Sequence, residues 1–275
     1  MRVNNLRGPE LVLTGFCLLV LGFLVLPILI IIPMSFTARD YLEFPPSSYS
    51  LRWYIVYFTD PDWIGPTLFS LKIATLSALA STVFGAMAAL ALVRARLLGN
   101  ALVNAVVAAP MVVPAVITAV AFYMLLSRLH LLGSTTGFVF ADTVLTLPFV
   151  IFPVAANLQR IEPRLEWTAL SLGASRFEAL RLVTLPLVRS GIVVGAAFAF
   201  ITAFDEATVS AFISSFEGKT LPKKMFEGID WELSPVIAAV ASLLTLVSIL
   251  LVLLLAMMRR NPGLSLRGSV PETHP

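Results

Sequence analysis

Two adjacent carboxylates, Asp205 and Glu206, stand in the apolar run FITAFDEATVSAF. An ionised acid at membrane depth is costly unless it meets a cation, a polar group or a solute path, so it marks a candidate site. In a helix entering the bilayer near residue 190, Asp205 lies about 15 residues in. That is about 22 Å along the axis, or about two-thirds across a ~30 Å apolar core. Adjacent helical positions point about 100° apart, so at most one of the two acids faces a central path squarely. Asp142, near the outer start of another apolar run, extends the set, and Tyr123, Phe200, Phe204 and Trp231 offer aromatic faces to a cation. The chemistry such a set performs is recognition of a desolvated cationic group. A plainer role stays open for each acid: Asp205 bonding a hydroxyl such as Thr202 or Ser210, and Asp142 resting among lipid headgroups.

Bond-making chemistry has little to work with. The chain contains two histidines, His130 and His274, and one cysteine, Cys17, which sits in an apolar run. Neither a nucleophile with its base nor a metal site is expected from so sparse a set, and no disulfide framework. No Gly-x-x-x-x-Gly-Lys-Ser/Thr pattern occurs, so ATP and Mg are expected to bind elsewhere than on this chain.

The elements that must hold the acids are membrane helices. The 275 residues are 58% hydrophobic and 13% charged, with a mean hydropathy of +0.92. A soluble domain of this length cannot bury so much apolar surface, so an all-α, polytopic membrane protein is expected. A net charge of +3, scattered along the chain, argues against nucleic acid as a partner. Six spans are predicted, at about 11–34, 70–93, 102–126, 137–156, 190–213 and 235–257, as one transmembrane domain over 1–275. The first run is longer than a signal core and lacks a small-x-small cleavage site, which predicts no cleaved leader. Between the first two spans, LRWYIVYF (51–58) is expected as a short interfacial helix with Trp53, Tyr54 and Tyr57 at headgroup depth. Pro110 and Pro114 predict a distorted third span, and the stretch FEGKTLPKKMFEGIDWELSP reads as an outer connection before the sixth.

Orientation follows from basic residues. The amino terminus, the turn at 94–101, the loop at 157–189 and the tail hold twelve of the nineteen lysines and arginines. That excess places both termini and the long loop in the cytoplasm.

The loop, RIEPRLEWTALSLGASRFEALRLVTLPLVRSGI, is the one long segment on that side with soluble character. Pro163 suits the first position of a helix and Gly173 the left-handed position just past its end. Ser175 and Glu178 have the spacing of a capping box, so a second helix starts at once. Leu165, Ala169 and Leu172 share one face of the first helix, and Phe177, Leu180 and Thr184 one face of the second. Arginines 160, 164, 176, 181 and 189 supply much of the remainder. The pattern predicts a helix–turn–helix offering an apolar face to a partner groove; its rival is an amphipathic loop lying on headgroups.

These residues resemble the coupling loop of permease subunits of binding-protein-dependent ABC importers, whose signature is Glu-Ala-Ala, three residues, Gly, nine residues, Ile-x-Leu-Pro. Gly173, Val183, Leu185 and Pro186 stand at the family spacing. The Glu-Ala-Ala positions hold Trp167, Thr168 and Ala169, and Glu166, one residue earlier, is expected to take over the acid's role. The resemblance implies a type I importer permease fold in a bacterial inner membrane, with Glu166, Trp167, Ala169, Gly173, Ala174, Arg176, Leu185 and Pro186 in the ATPase-coupling loop. It further implies a second permease subunit, two ABC ATPase subunits and a periplasmic solute-binding protein as partners. FDEATVSAFIS, the later Thr-Leu-Pro and Ser-Pro-x-Ile-Ala-Ala are similar to the spermidine/putrescine subgroup. Membrane-depth acids and aromatic faces suit an oligoamine, so Asp205, Glu206, Asp142, Tyr123 and Phe204 are expected along the path. Relatives in that subgroup carry other small nitrogenous or phosphonate solutes, which leaves the cargo open. An ion-coupled secondary transporter would have membrane acids too, but no need of the capped, arginine-rich hairpin.

Overall fold

The computed structural model describes residues 8–94, 100–214, 218–231 and 234–260. Arg96, most of the turn at 94–101, Arg2, Arg7 and the tail after Arg260 therefore lie outside the described residues. Among the described residues the secondary structure is helical, apart from one antiparallel bridge between Thr37 and Tyr49.

Helix α1 (Gly8–Met34) carries Pro27 and Pro33 without ending before Met34. Its apolar window is wholly exposed in the single chain, and its packing partner is the last helix, α12 (Pro235–Arg260). Helix α2 (Arg52–Thr59) is the aromatic segment. Asp60 ends it and starts the next: its carboxylate accepts the N–H of Asp62, capping α3 (Pro61–Arg94), with Pro61 as the first helical residue. The second span is thus longer than predicted, because this cap lies well upstream of the apolar run that begins at 70.

The third span is broken. Helices α4 (Asn100–Val112) and α5 (Ala115–Arg128) meet at 100°. Pro114 has no N–H for the carbonyl of Pro110, and it bars the residue before it from helical geometry, so the expected distortion becomes a corner. The fourth span, α6 (Thr135–Leu158), runs intact through Pro148 and Pro153, capped by the Ser134 hydroxyl accepting from the Gly137 N–H.

After the hairpin of α7 (Pro163–Ser171) and α8 (Arg176–Ala179), a π turn at Leu180–Thr184 leads without interruption into α9 (Leu185–Asp205). Pro186 cannot donate to the carbonyl of Leu182, and the wider turn just before it absorbs that mismatch. The second hairpin helix is therefore the foot of the fifth span rather than a separate element. The fifth span was expected to continue to 213; it ends at Asp205, and α10 (Thr208–Ile213) follows after an extended Glu206. With no proline or glycine there, the break has a side-chain cause: the Glu206 carboxylate accepts the Val209 N–H at 2.7 Å and starts a new helix. The connection before α12 contains a helix of its own, α11 (Leu221–Trp231).

Four helices are long and apolar enough to cross a membrane, and the bent α4–α5 pair makes a fifth, counted on the described residues. Three of them, α3, α6 and α9, form the core. They cross closely because Gly85 of α3 and Gly195 of α9 both press on Val150 of α6, which is fully buried. A second cluster packs α2, the expected interfacial helix, against its neighbours. Trp53 and Tyr57 are buried with Trp63, Leu221, Val236 and Val240, the Trp53 indole donating to the Arg39 carbonyl. The aromatic ring area buries against α11 and α12.

Candidate functional site

The hairpin builds itself. Pro163 occupies the first position of α7. At its end Gly173, with φ of +95°, donates to the carbonyl of Leu170, while the Ala174 N–H reaches back to the carbonyl of Ala169. That pair of bonds is the Schellman closure of a helix, and it requires the left-handed conformation glycine adopts freely. Ser175 and Glu178 then exchange side-chain and backbone bonds as a complete capping box. Two helix ends are satisfied within three residues.

Its apolar side chains remain uncovered. Leu172 is 84% exposed, Leu182 70%, Phe177 68% and Trp167 66%. Arg176 and Pro186 are exposed, Leu185 lies on the rim, and Ala169 and Ala174 are partly buried. A pocket of about 440 Å³ opens between the hairpin and α3, lined by Leu90, Glu166, Trp167, Leu170, Arg176 and Leu180 among others.

Glu166 is held within the chain. Its Oε1 accepts from Nε and Nη2 of Arg94 at 3.2 and 3.0 Å and from the Thr184 hydroxyl at 2.9 Å. Arg94 also reaches the Ile161 carbonyl at 3.4 Å. One helical position further round, Trp167 takes the exposed place. Arg94 and Thr184 are the functional candidates that sequence reasoning missed. Arg94 was visible only as a charge closing a span, and its distance of 72 residues from Glu166 left no local signal.

The membrane acids differ in burial. Asp205 is exposed at the last residue of α9, Glu206 is partly buried at the break, and Asp142 is buried in α6. Glu206 lies within electrostatic range of both Asp142 and its chain neighbour Asp205, so the break after α9 gathers the three acids loosely rather than separating the adjacent pair. The headgroup seat considered for Asp142 is ruled out by its 4% exposure. Phe204 stacks on Phe200 with centroids 6.1 Å apart and packs toward the α2–α12 cluster, while Tyr123 is 45% exposed on α5. Trp231 closes α11. Around the acids the α3–α6 seam is polar: Ser81 and Thr146 share a hydrogen bond, and the buried Ser77 and Thr143 hydroxyls have no partner.

A helical membrane protein with a self-capped basic hairpin and a buried acid, Asp142, fits the class of transport permeases. Residues 81–261 match the family of binding-protein-dependent transport system inner membrane components, and the chain belongs to that family. It is 28% identical over 259 residues to the spermidine/putrescine transport system permease protein PotC of Escherichia coli K12, covering 93% of this chain and 97% of the relative. It is 32% identical over 185 residues to the molybdenum transport system permease protein ModB of the same organism, covering 61% and 80%. Its fold is that of a bacterial ABC transporter importing the acidic polysaccharide alginate, with a TM-score of 0.69 at 16% identity over 95% of this chain and all of the other. The chain is thus a multi-pass inner-membrane permease of the ABC importer class.

Proposed function

We propose that this chain forms one half of the translocation path of an ATP-driven importer for a polyamine such as spermidine or putrescine. The observation that carries the importer mechanism is the hairpin's row of exposed Trp167, Leu172, Phe177 and Leu182 on a scaffold already capped at both helix ends. Such a face, bordered by arginines, suits a groove on a soluble ATPase subunit. Two such subunits dock from the cytoplasm, where both termini also lie, and they hold the ATP and Mg. A second, homologous permease subunit closes the path, and a periplasmic binding protein delivers the solute. Closure of the ATPases on ATP moves the hairpin as a lever and turns the path from one side of the membrane to the other.

For the solute, the buried Asp142 beside Glu206 supports an oligoamine. Each ammonium stripped of water needs a carboxylate or an aromatic face, and Phe200 and Phe204 stand on α9 just before Asp205. The similarity to PotC agrees with that chemistry. The similarity to ModB favours a second reading, the same machine carrying another small solute.

The test is ATP hydrolysis by the reconstituted complex with its binding protein against spermidine, putrescine, an amino acid, a phosphonate and molybdate. Glu206→Gln and Asp205→Asn variants are compared. Gln at 206 can still accept the Val209 N–H, so it removes charge while keeping the helix start. We expect polyamines to stimulate the native complex and Glu206→Gln to abolish that response with basal hydrolysis intact, whereas the exposed Asp205 matters less. Stimulation by another solute, unchanged in both variants, overturns the polyamine reading and leaves the importer.

A further inference from the structure

The contacts of Glu166 go beyond docking. Helix α7 packs against α8 and the π turn, and its polar tie to the membrane core is the single oxygen that accepts from Arg94 and Thr184. Arg94 is the last residue of α3, and Thr184 is the last residue of the π turn beneath α9. Both lie among the better covered groups of the hairpin: Thr184 is buried, and the Arg94 and Glu166 side chains are each 22% exposed. Helices α3 and α9 are two of the three core helices. A force on α7 therefore has two ways into the membrane, the covalent one along α8 to α9 and the ionic one through Arg94 to α3.

We propose that Glu166, Arg94 and Thr184 form a positioning joint that makes α3 and α9 move together when the hairpin is driven. This inference rests on the importer reading above. Glu166 touches neither ATP nor solute; it acts by holding α7 to α3. With the joint intact, the α3–α6–α9 core turns as one body. With it broken, the hairpin moves on its covalent connections and α3 lags, so ATP is spent without solute moving.

The experiment uses the reconstituted complex of permease subunits, ATPases and binding protein. Three variants are made: Glu166→Gln, Arg94→Gln, and the double exchange Glu166→Arg with Arg94→Glu. Three quantities are read: ATPase subunits co-purified, basal hydrolysis, and solute transported per ATP. We expect both single variants to keep co-purification and basal hydrolysis while transported solute per ATP falls about tenfold, the scale of one lost charged hydrogen bond. The double exchange restores at least half of the native ratio, a recovery that a merely structural role would not produce. Native coupling in Glu166→Gln, or a double exchange no better than the singles, overturns the joint. If a single variant fails to assemble, the double exchange decides alone, with recovery supporting the joint and failure rejecting it. A native complex that hydrolyses ATP but moves no solute rejects the importer reading instead, and the joint with it.

Discussion

Gly173 shows how one residue sets the hairpin. No atom lies within 4 Å of where its Cβ would be, so space is not the constraint; the φ of +95° is. An L side chain pays about 1–2 kcal/mol for that conformation. Gly173→Ala is expected to loosen the turn by about that amount, read as faster hydrogen exchange across Leu170–Ala174 with the core helices unchanged; equal exchange rates would contradict it. This position, the Ser175 capping box and Pro163 were legible from residue type and spacing because each acts within four residues of itself. Glu166 was not, because its partners are 72 and 18 residues away. Residue spacing within α7 could say that Glu166 and Trp167 point about 100° apart, but not which of them faces α3.

At the scale of elements, the close crossing of α3, α6 and α9 decides what substitutions the core accepts. A Cβ on Gly195 would stand 2.9 Å from the Cα of Val150, a backbone atom that can yield only if the helices part. Helix propensity favours Gly→Ala by about 1 kcal/mol, while overpacking costs about 1–3 kcal/mol. The backbone contact puts this site at the upper end of that cost, so Gly195→Ala is expected to destabilise. The check is a lower thermal transition in detergent, and an unchanged or raised transition would count against the close crossing. Apolar runs located the helices well, since transfer into lipid acts on local sequence. Their breaks were harder to see. Two prolines signalled trouble in the third span but not a 100° corner, and Glu206 ended the fifth span by a side-chain bond that no breaker residue announces.

For the whole molecule, the uncovered surfaces define what the chain waits for. In the single chain the apolar window of α1 and the hairpin face are both exposed. Leu172 and Phe177 are 84% and 68% exposed, so changing them should leave the isolated chain intact. Leu172→Asp with Phe177→Asp is expected to lower co-purified ATPase by at least about tenfold, as loss of interface anchors does. The thermal transition of the chain alone should not move. Undiminished co-purification would remove the hairpin from the docking surface.

Sequence alone determined the fold class, since lipid solvation demands apolar helices and helix ends demand caps. The permease family came from the resemblance of the loop that carries Gly173, Val183, Leu185 and Pro186. Tertiary structure alone decided which charges meet. Asp142 with Glu206, and Glu166 with Arg94 and Thr184, are pairings across separate elements, set by how α3, α6, α7 and α9 cross. The reason is range: backbone and solvation preferences act over a few residues, whereas a carboxylate's partner depends on packing between helices far apart in the chain.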